Sequence, residues 1–167
     1  MREVTMDKYF IAEFKLDSTF YYMLWKDEHF WVVGGGPVIF KSIKELKYYT
    51  AKNALEAVDS DGIFDLDGIL SLTSKTNESI NCHKLLDCWN ILSDLAKTVG
   101  EDFLGDEETQ ANEAVYSMLV LGTNIPELYS EEEGEFHPEL GGEVKEHLEN
   151  VLKNGIEIFR KVIADQI

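Results

Sequence analysis

Within the first 40 residues the chain carries four strand-like segments whose joints are too short for anything but hairpins, and this narrows the fold most. In residues 9–16, Phe10, Ala12, Phe14 and Leu16 alternate with Glu13 and Lys15, the period of a half-buried strand. Asp17-Ser18 signals a turn before residues 20–25, and Lys26-Asp27-Glu28 signals another before residues 30–33. The Gly34-Gly35-Gly36-Pro37 break then leads to a short fourth segment, 38–40. A parallel crossover needs about a dozen residues or more, so the spacing predicts an antiparallel meander.

The remainder reads as helical. Ser42 followed by Glu45 forms a capping box and opens a helix reaching to about Leu55. From Asn81 to Val99 the residues Cys82, Leu85, Trp89, Leu92, Ala96 and Val99 recur at helical spacing, and Gly100 stops the run. Residues 111–121 predict a third helix ended by Gly122, and residues 142–164 a fourth, striped by Val144, Leu148, Val151, Ile158, Phe159 and Val162. Gly155 inside that helix costs about 1 kcal/mol relative to Ala, which implies a close neighbour there. Strands followed by helices predict an α+β fold. It is a single domain over residues 1–167, with an antiparallel sheet at about 8–40 packed against helices from about 42–165.

Charge decides which partners suit the chain. It carries 15 basic and 32 acidic side chains, a formal net charge of −17, yet 44% of it is hydrophobic, too apolar for intrinsic disorder. Such a surface repels phosphate backbones and anionic membranes, which excludes nucleic acid and membrane as partners. The imbalance is local: between Lys97 and Lys145 thirteen acids occur and no Lys or Arg. Acidic runs are commonly just solvated surface, but a face serving only solubility mixes both signs. The stretch from Glu101 to Glu143 therefore points to a basic protein partner.

Catalytic patterns are sparse. Ile63-Phe64-Asp65-Leu66-Asp67-Gly68 resembles the first motif of haloacid dehalogenase-like phosphatases, which implies Asp65 as a nucleophile and Asp67 as general acid/base beside magnesium. That motif belongs on the first strand of a parallel sheet, whereas an antiparallel one precedes it here. The non-catalytic alternative makes residues 63–66 a short buried segment and Asp67 the cap of a helix starting at Gly68. The triple glycine leads to a strand rather than a helix N-terminus, so it does not match a phosphate loop. His29, His83, His137 and His147 have no metal-ligand spacing, and no GxSxG elbow occurs. Cys82 and Cys88, about 9 Å apart along a helix axis, lie beyond disulfide reach. With no signal-like stretch in Met1–Thr5 and no run of ~18 apolar residues, the chain is expected to be cytoplasmic, reduced and not an enzyme, with no cofactor, metal or small-molecule substrate.

The run Leu85-Leu86-Asp87-Cys88-Trp89-Asn90-Ile91-Leu92-Ser93-Asp94-Leu95-Ala96 is similar to one in immunity proteins of bacterial contact-dependent growth inhibition systems. So are Asn124-Ile125-Pro126, Asn154-Gly155-Ile156-Glu157-Ile158-Phe159, and the strand-rich start followed by the Ser42 helix. The resemblance implies a cytoplasmic antitoxin that binds one cognate toxin domain. In the branch most similar to this chain, the toxins are zinc-dependent DNases, and a toxin hairpin enters a pocket of the immunity protein and extends its sheet. It implies no catalytic residues. An acidic adaptor for another basic protein is the other non-enzymatic alternative.

The expected docking surface combines a sheet edge with nearby carboxylates: Asp59, Asp61, Asp102 and Asp106. Phe14, Trp89, Leu92, Leu148, Leu152 and Phe159 are the expected core. Truncating Trp89 to Ala should then cost about 3–5 kcal/mol. An unchanged melting temperature would remove it from that core.

Overall fold

The computed structural model describes residues 7–59, 62–128, 132 and 134–166, and the fold is organised on its first strand, β1 (Asp7–Leu16). Met1–Thr5 and Asp61 lie outside the described residues. Strand β2 (Thr19–Lys26) returns antiparallel, with Phe14 opposite Tyr21, and β3 (His29–Phe30) pairs antiparallel with β2. Both joints are two residues long with left-handed backbones, φ 50° and 63° at Asp17 and Ser18, 47° and 65° at Asp27 and Glu28. Such turns match the right-handed twist of the strands they join.

The N-terminal sheet and the C-terminal helices stand as the sequence predicts, and the chain is a mixed α and β protein in one compact domain. Three details differ. The third segment breaks at Trp31, so that β4 (Val32–Val33) and β5 (Gly36–Pro37) form a separate two-stranded ribbon around Gly34 and Gly35. Residues 38–40 add only a bridge, in which Phe40 and Tyr22 exchange backbone hydrogen bonds of 2.9 and 2.8 Å.

The second difference is strand direction. Helix α1 (Ile43–Lys52) is capped at Ser42, whose Oγ accepts from the Glu45 amide at 3.1 Å, but it ends before Leu55. Ala54 turns left-handed (φ 52°), and the chain enters β6 (Leu55–Asp59), which lies parallel to β1. A second short strand, β7 (Phe64–Asp65), pairs parallel with the other end of β1. The sheet is therefore mixed, ordered β3-β2-β1-β6 with β7 also beside β1. The parallel neighbour became reachable because α1 supplies the crossover length that tight hairpins lack.

The third difference is that β1 is covered on both faces. Ala12, Phe14 and Leu16 point into the main core, while Tyr9 and Ile11 join Leu24, Leu46 and Leu55 beneath α1. Phe10, expected on the core face, is instead 43% exposed, with its ring centroid 6.2 Å from that of Trp25. The main core is closed by α2 (Ser79–Val99), α3 (Gln110–Gly122) and α4 (Gly142–Asp165). Gly100 ends α2 in the left-handed region at φ 72°.

All six expected core residues are buried, none more than 3% exposed. Phe14 lies at their junction, its ring centroid 4.8 Å from Phe159 and 5.2 Å from Phe64. Gly155 sits where α4 meets α2: a Cβ built there would lie 2.7 Å from Leu92 Cδ1 and 3.0 Å from the Phe103 ring. Replacing Gly155 by Ala should recover ~1 kcal/mol of helix propensity but overpack this crossing by about 1–3 kcal/mol. The expected outcome is a lower melting temperature; a rise would contradict the close approach.

Candidate functional site

A groove of about 1010 Å³ lies between α2, the start of α3 and the turn joining β2 to β3. Helix α2 contributes Trp89, Asn90, Ser93, Asp94 and Lys97; the β2–β3 side contributes Trp25 and Glu28. The opposite wall is the segment Gly105 to Thr109, followed by Gln110, Asn112, Glu113 and Tyr116 of α3. Its charged residues are six acids, Glu28, Asp94, Asp106, Glu107, Glu108 and Glu113, against the single cation Lys97.

Hydrogen bonds hold this acidic wall in place. The amide nitrogen of Asn112, 5% exposed, donates to the carbonyls of Leu104 and Glu107, both at 2.8 Å. The Leu104 amide donates at 2.7 Å to Asn154 Oδ1 of α4, and His147 Nε2 lies 2.6 Å from Asn112 Oδ1. Thr109 caps α3 by accepting from the Asn112 amide at 3.1 Å. The Tyr116 hydroxyl donates to Asn90 Oδ1 at 2.8 Å, and its ring meets Trp89 edge-on at 5.5 Å. The carboxylates thus stand on a fixed frame rather than on a loose loop.

Of the six acids Asp94 is buried and the other five, Asp106 included, are exposed. Asp94 is only 7% exposed and accepts from Trp25 Nε1 at 3.0 Å, while Asp106 Oδ1 accepts from Ser93 Oγ at 2.5 Å. Burial pushes the Asp94 carboxyl above the ordinary carboxylate range; the Trp25 bond and Lys97 oppose that, and Glu28 and Asp106 add to it. A carboxylate so placed pays a desolvation penalty when it ionises.

Of the four carboxylates singled out from sequence, Asp106 lines this groove; Asp59 and Asp102 are exposed elsewhere, and Asp61 lies outside the described residues. Charge density indicated Asp106 and its neighbours. Trp25, Asp94 and Tyr116 gave no such signal, since only the fold brings Trp25 to a partner 69 residues away.

The phosphatase-like pair diverges. Asp65 Oδ1 accepts from the Gly68 amide at 3.0 Å, so Asp65, not Asp67, caps the turn into the 3₁₀ helix Ile69–Ser74. Asp67 instead reaches the β1–β2 turn, accepting from the Asp17 amide at 2.6 Å and the Ser18 amide at 2.9 Å. Asp17 in turn receives a two-pronged bond from Arg160 of α4, at 2.9 and 3.1 Å. That guanidinium holds the Asp17 carboxyl below its ordinary value. Among the described residues no three His, Cys, Asp or Glu side chains group as metal ligands. Cys82 and Cys88 are free and buried, and burial, with Asp87 and Asp65 nearby, pushes the Cys88 thiol up to about 12. No described helix is long and apolar enough to cross a membrane.

Asp94 gives a test with a definite sign. Its folded pKa is raised, so its contribution to stability is complete below the unfolded value of 3.8 and is lost as pH rises through the folded value. Asp94→Asn keeps the shape and removes the buried charge. The variant should melt higher than the parent at neutral pH, with the gain fading in acid. A variant that melts lower at neutral pH would show that the charge is stabilising.

Comparison of the chain with protein-family models, with curated proteins and with solved structures finds no match.

Proposed function

We propose that this chain is an inhibitory binding protein, an immunity protein of the contact-dependent growth inhibition kind, that neutralises a basic cognate toxin domain in the cytoplasm. The observation that carries this reading is the groove itself, with six carboxylates against one lysine beside Trp25, Trp89 and Tyr116. Carboxylates supply long-range attraction, and the half-buried rings of Trp25 and Tyr116 supply contact area that excludes water. The segments similar to immunity proteins supply Trp89, Asn90, Ser93 and Asp94 of the groove and Asn154 of its frame.

A nuclease toxin fits best among basic partners. It must hold phosphates with Lys and Arg, and an inhibitor presenting carboxylates on a rigid frame competes for those same groups. The edge of β6 is a second contact surface: among the described residues it pairs with β1 on one side and with no strand on the other. Backbone pairing there supplies affinity, and the acidic groove supplies discrimination.

Co-expression with a basic nuclease toxin domain, taken from a neighbouring gene where one encodes it, tests the reading: the chain should protect the cells and co-purify with that domain. Binding without protection would make it an adaptor, and no binding would overturn the proposal. Glu107, Glu108 and Glu113 are exposed, so reversing all three to Lys should leave the melt nearly unchanged. It should slow association about 10- to 100-fold at low salt. Asp59→Lys with Asp102→Lys, off the groove, should have a much smaller effect. Equal effects of the two variants would move the contact away from the groove.

A further inference from the structure

We propose that the groove is built to seat an arginine on an extended segment of the partner, a refinement that rests on the binding function proposed above. Two polar atoms of nearly buried residues face this opening without a described partner. Asp94, 7% exposed, uses Oδ2 for Trp25, and its Oδ1 accepts no hydrogen bond from a described residue. Trp89, 3% exposed, donates from Nε1 to no described atom. That nitrogen lies beneath Gly105 of the opposite wall, where a Cβ would come within 2.9 Å of it. Asp106, bound to Ser93 through Oδ1, likewise leaves Oδ2 open.

These atoms specify complementary chemistry. None of the three atoms is sealed from solvent, so each is open to a ligand: the two carboxylate oxygens as acceptors and the indole N–H as a donor. A bare cation meets only the acceptors. A peptide meets both, since its side chain donates and its backbone carbonyl accepts. Arginine suits the donor role better than lysine. Its planar guanidinium has five donors in a fixed fork that can bridge two carboxylates, and it stacks on aromatic walls such as Trp25 and Tyr116. The compact, strongly hydrated ammonium of lysine gains little here over any exposed acidic surface.

The test uses three capped peptides, acetyl-Gly-Xaa-Gly-amide with arginine, lysine or the neutral isostere citrulline at the centre, titrated into the ¹⁵N-labelled full chain. The three tryptophan indole N–H signals report position. Trp25 and Trp89 line the groove, whereas Trp31 donates to the Tyr49 hydroxyl at 2.8 Å beneath α1 and serves as the internal control. The arginine peptide should shift the Trp25 and Trp89 signals and leave Trp31 in place. The lysine peptide should need at least tenfold more peptide for the same shift, and the citrulline peptide should give none. Asp94→Asn and Asp106→Asn, which keep shape, should each weaken the arginine peptide about tenfold.

Equal response to lysine or citrulline, movement of Trp31 alongside the others, or full binding by both variants would overturn the arginine seat. Failure here with the co-expressed partner still bound discards the seat and leaves the binding function. A seated peptide without any partner binding discards the binding function and leaves the seat.

Discussion

The structure depends on one buried ring. Phe14 is fully enclosed on β1, and its ring neighbours come from two other strands and the last helix: Phe30 of β3 at 6.2 Å, Phe64 of β7 at 5.2 Å and Phe159 of α4 at 4.8 Å. A ring of this size, buried in contact with three others, is worth more than its buried area alone, because the ring pairs add to it. It also fixes geometry, since β3, β7 and α4 can reach it together in one arrangement. The polar clamp at the tip of the same strand works alongside it. Asp67 holds the β1–β2 turn amides, and Arg160 of α4 grips Asp17 of that turn. The clamp is solvent-exposed and weak in energy, but it orients α4 against the sheet.

From that frame the groove follows. With α4 set, Asn154 holds Leu104, Asn112 gathers the carbonyls of Leu104 and Glu107, and the acidic segment is pressed toward α2. With β2 set, Trp25 is delivered to Asp94. Crowding six carboxylates into one opening raises their mutual repulsion, and burying Asp94 adds a desolvation penalty. Stability alone does not account for that concentration of charge. In the proposed binding function, a partner bearing the opposite charge offsets that repulsion.

Much of this was legible in the sequence where the signal is local. Phe14, Trp89 and Phe159 follow from periodicity, and Gly155 announced a close crossing because a glycine inside a helix asks for a reason, here Leu92. What escaped was pairing at a distance. Strand β6 holds only five residues, Leu-Glu-Ala-Val-Asp, directly after a helix, and its apolar pattern is too short to separate from a helix end. Asp65 and Asp67 resemble a catalytic pair in sequence, yet one serves a local turn and the other a turn 50 residues away. In the groove, charge density exposed Asp106, but an isolated Trp25 and an Asp94 on a largely apolar helix carry no local mark of their meeting.

The most direct measurement of the central claim is amide hydrogen exchange on the chain alone and in complex with a basic partner that it protects against. If the groove is the docking site, protection on binding should concentrate in residues 104–109 and the first turn of α3. Exposed segments remote from it, such as the β4–β5 ribbon, should exchange as before. Protection confined to β6 or to the α1 face, with residues 104–109 unchanged, would contradict the account.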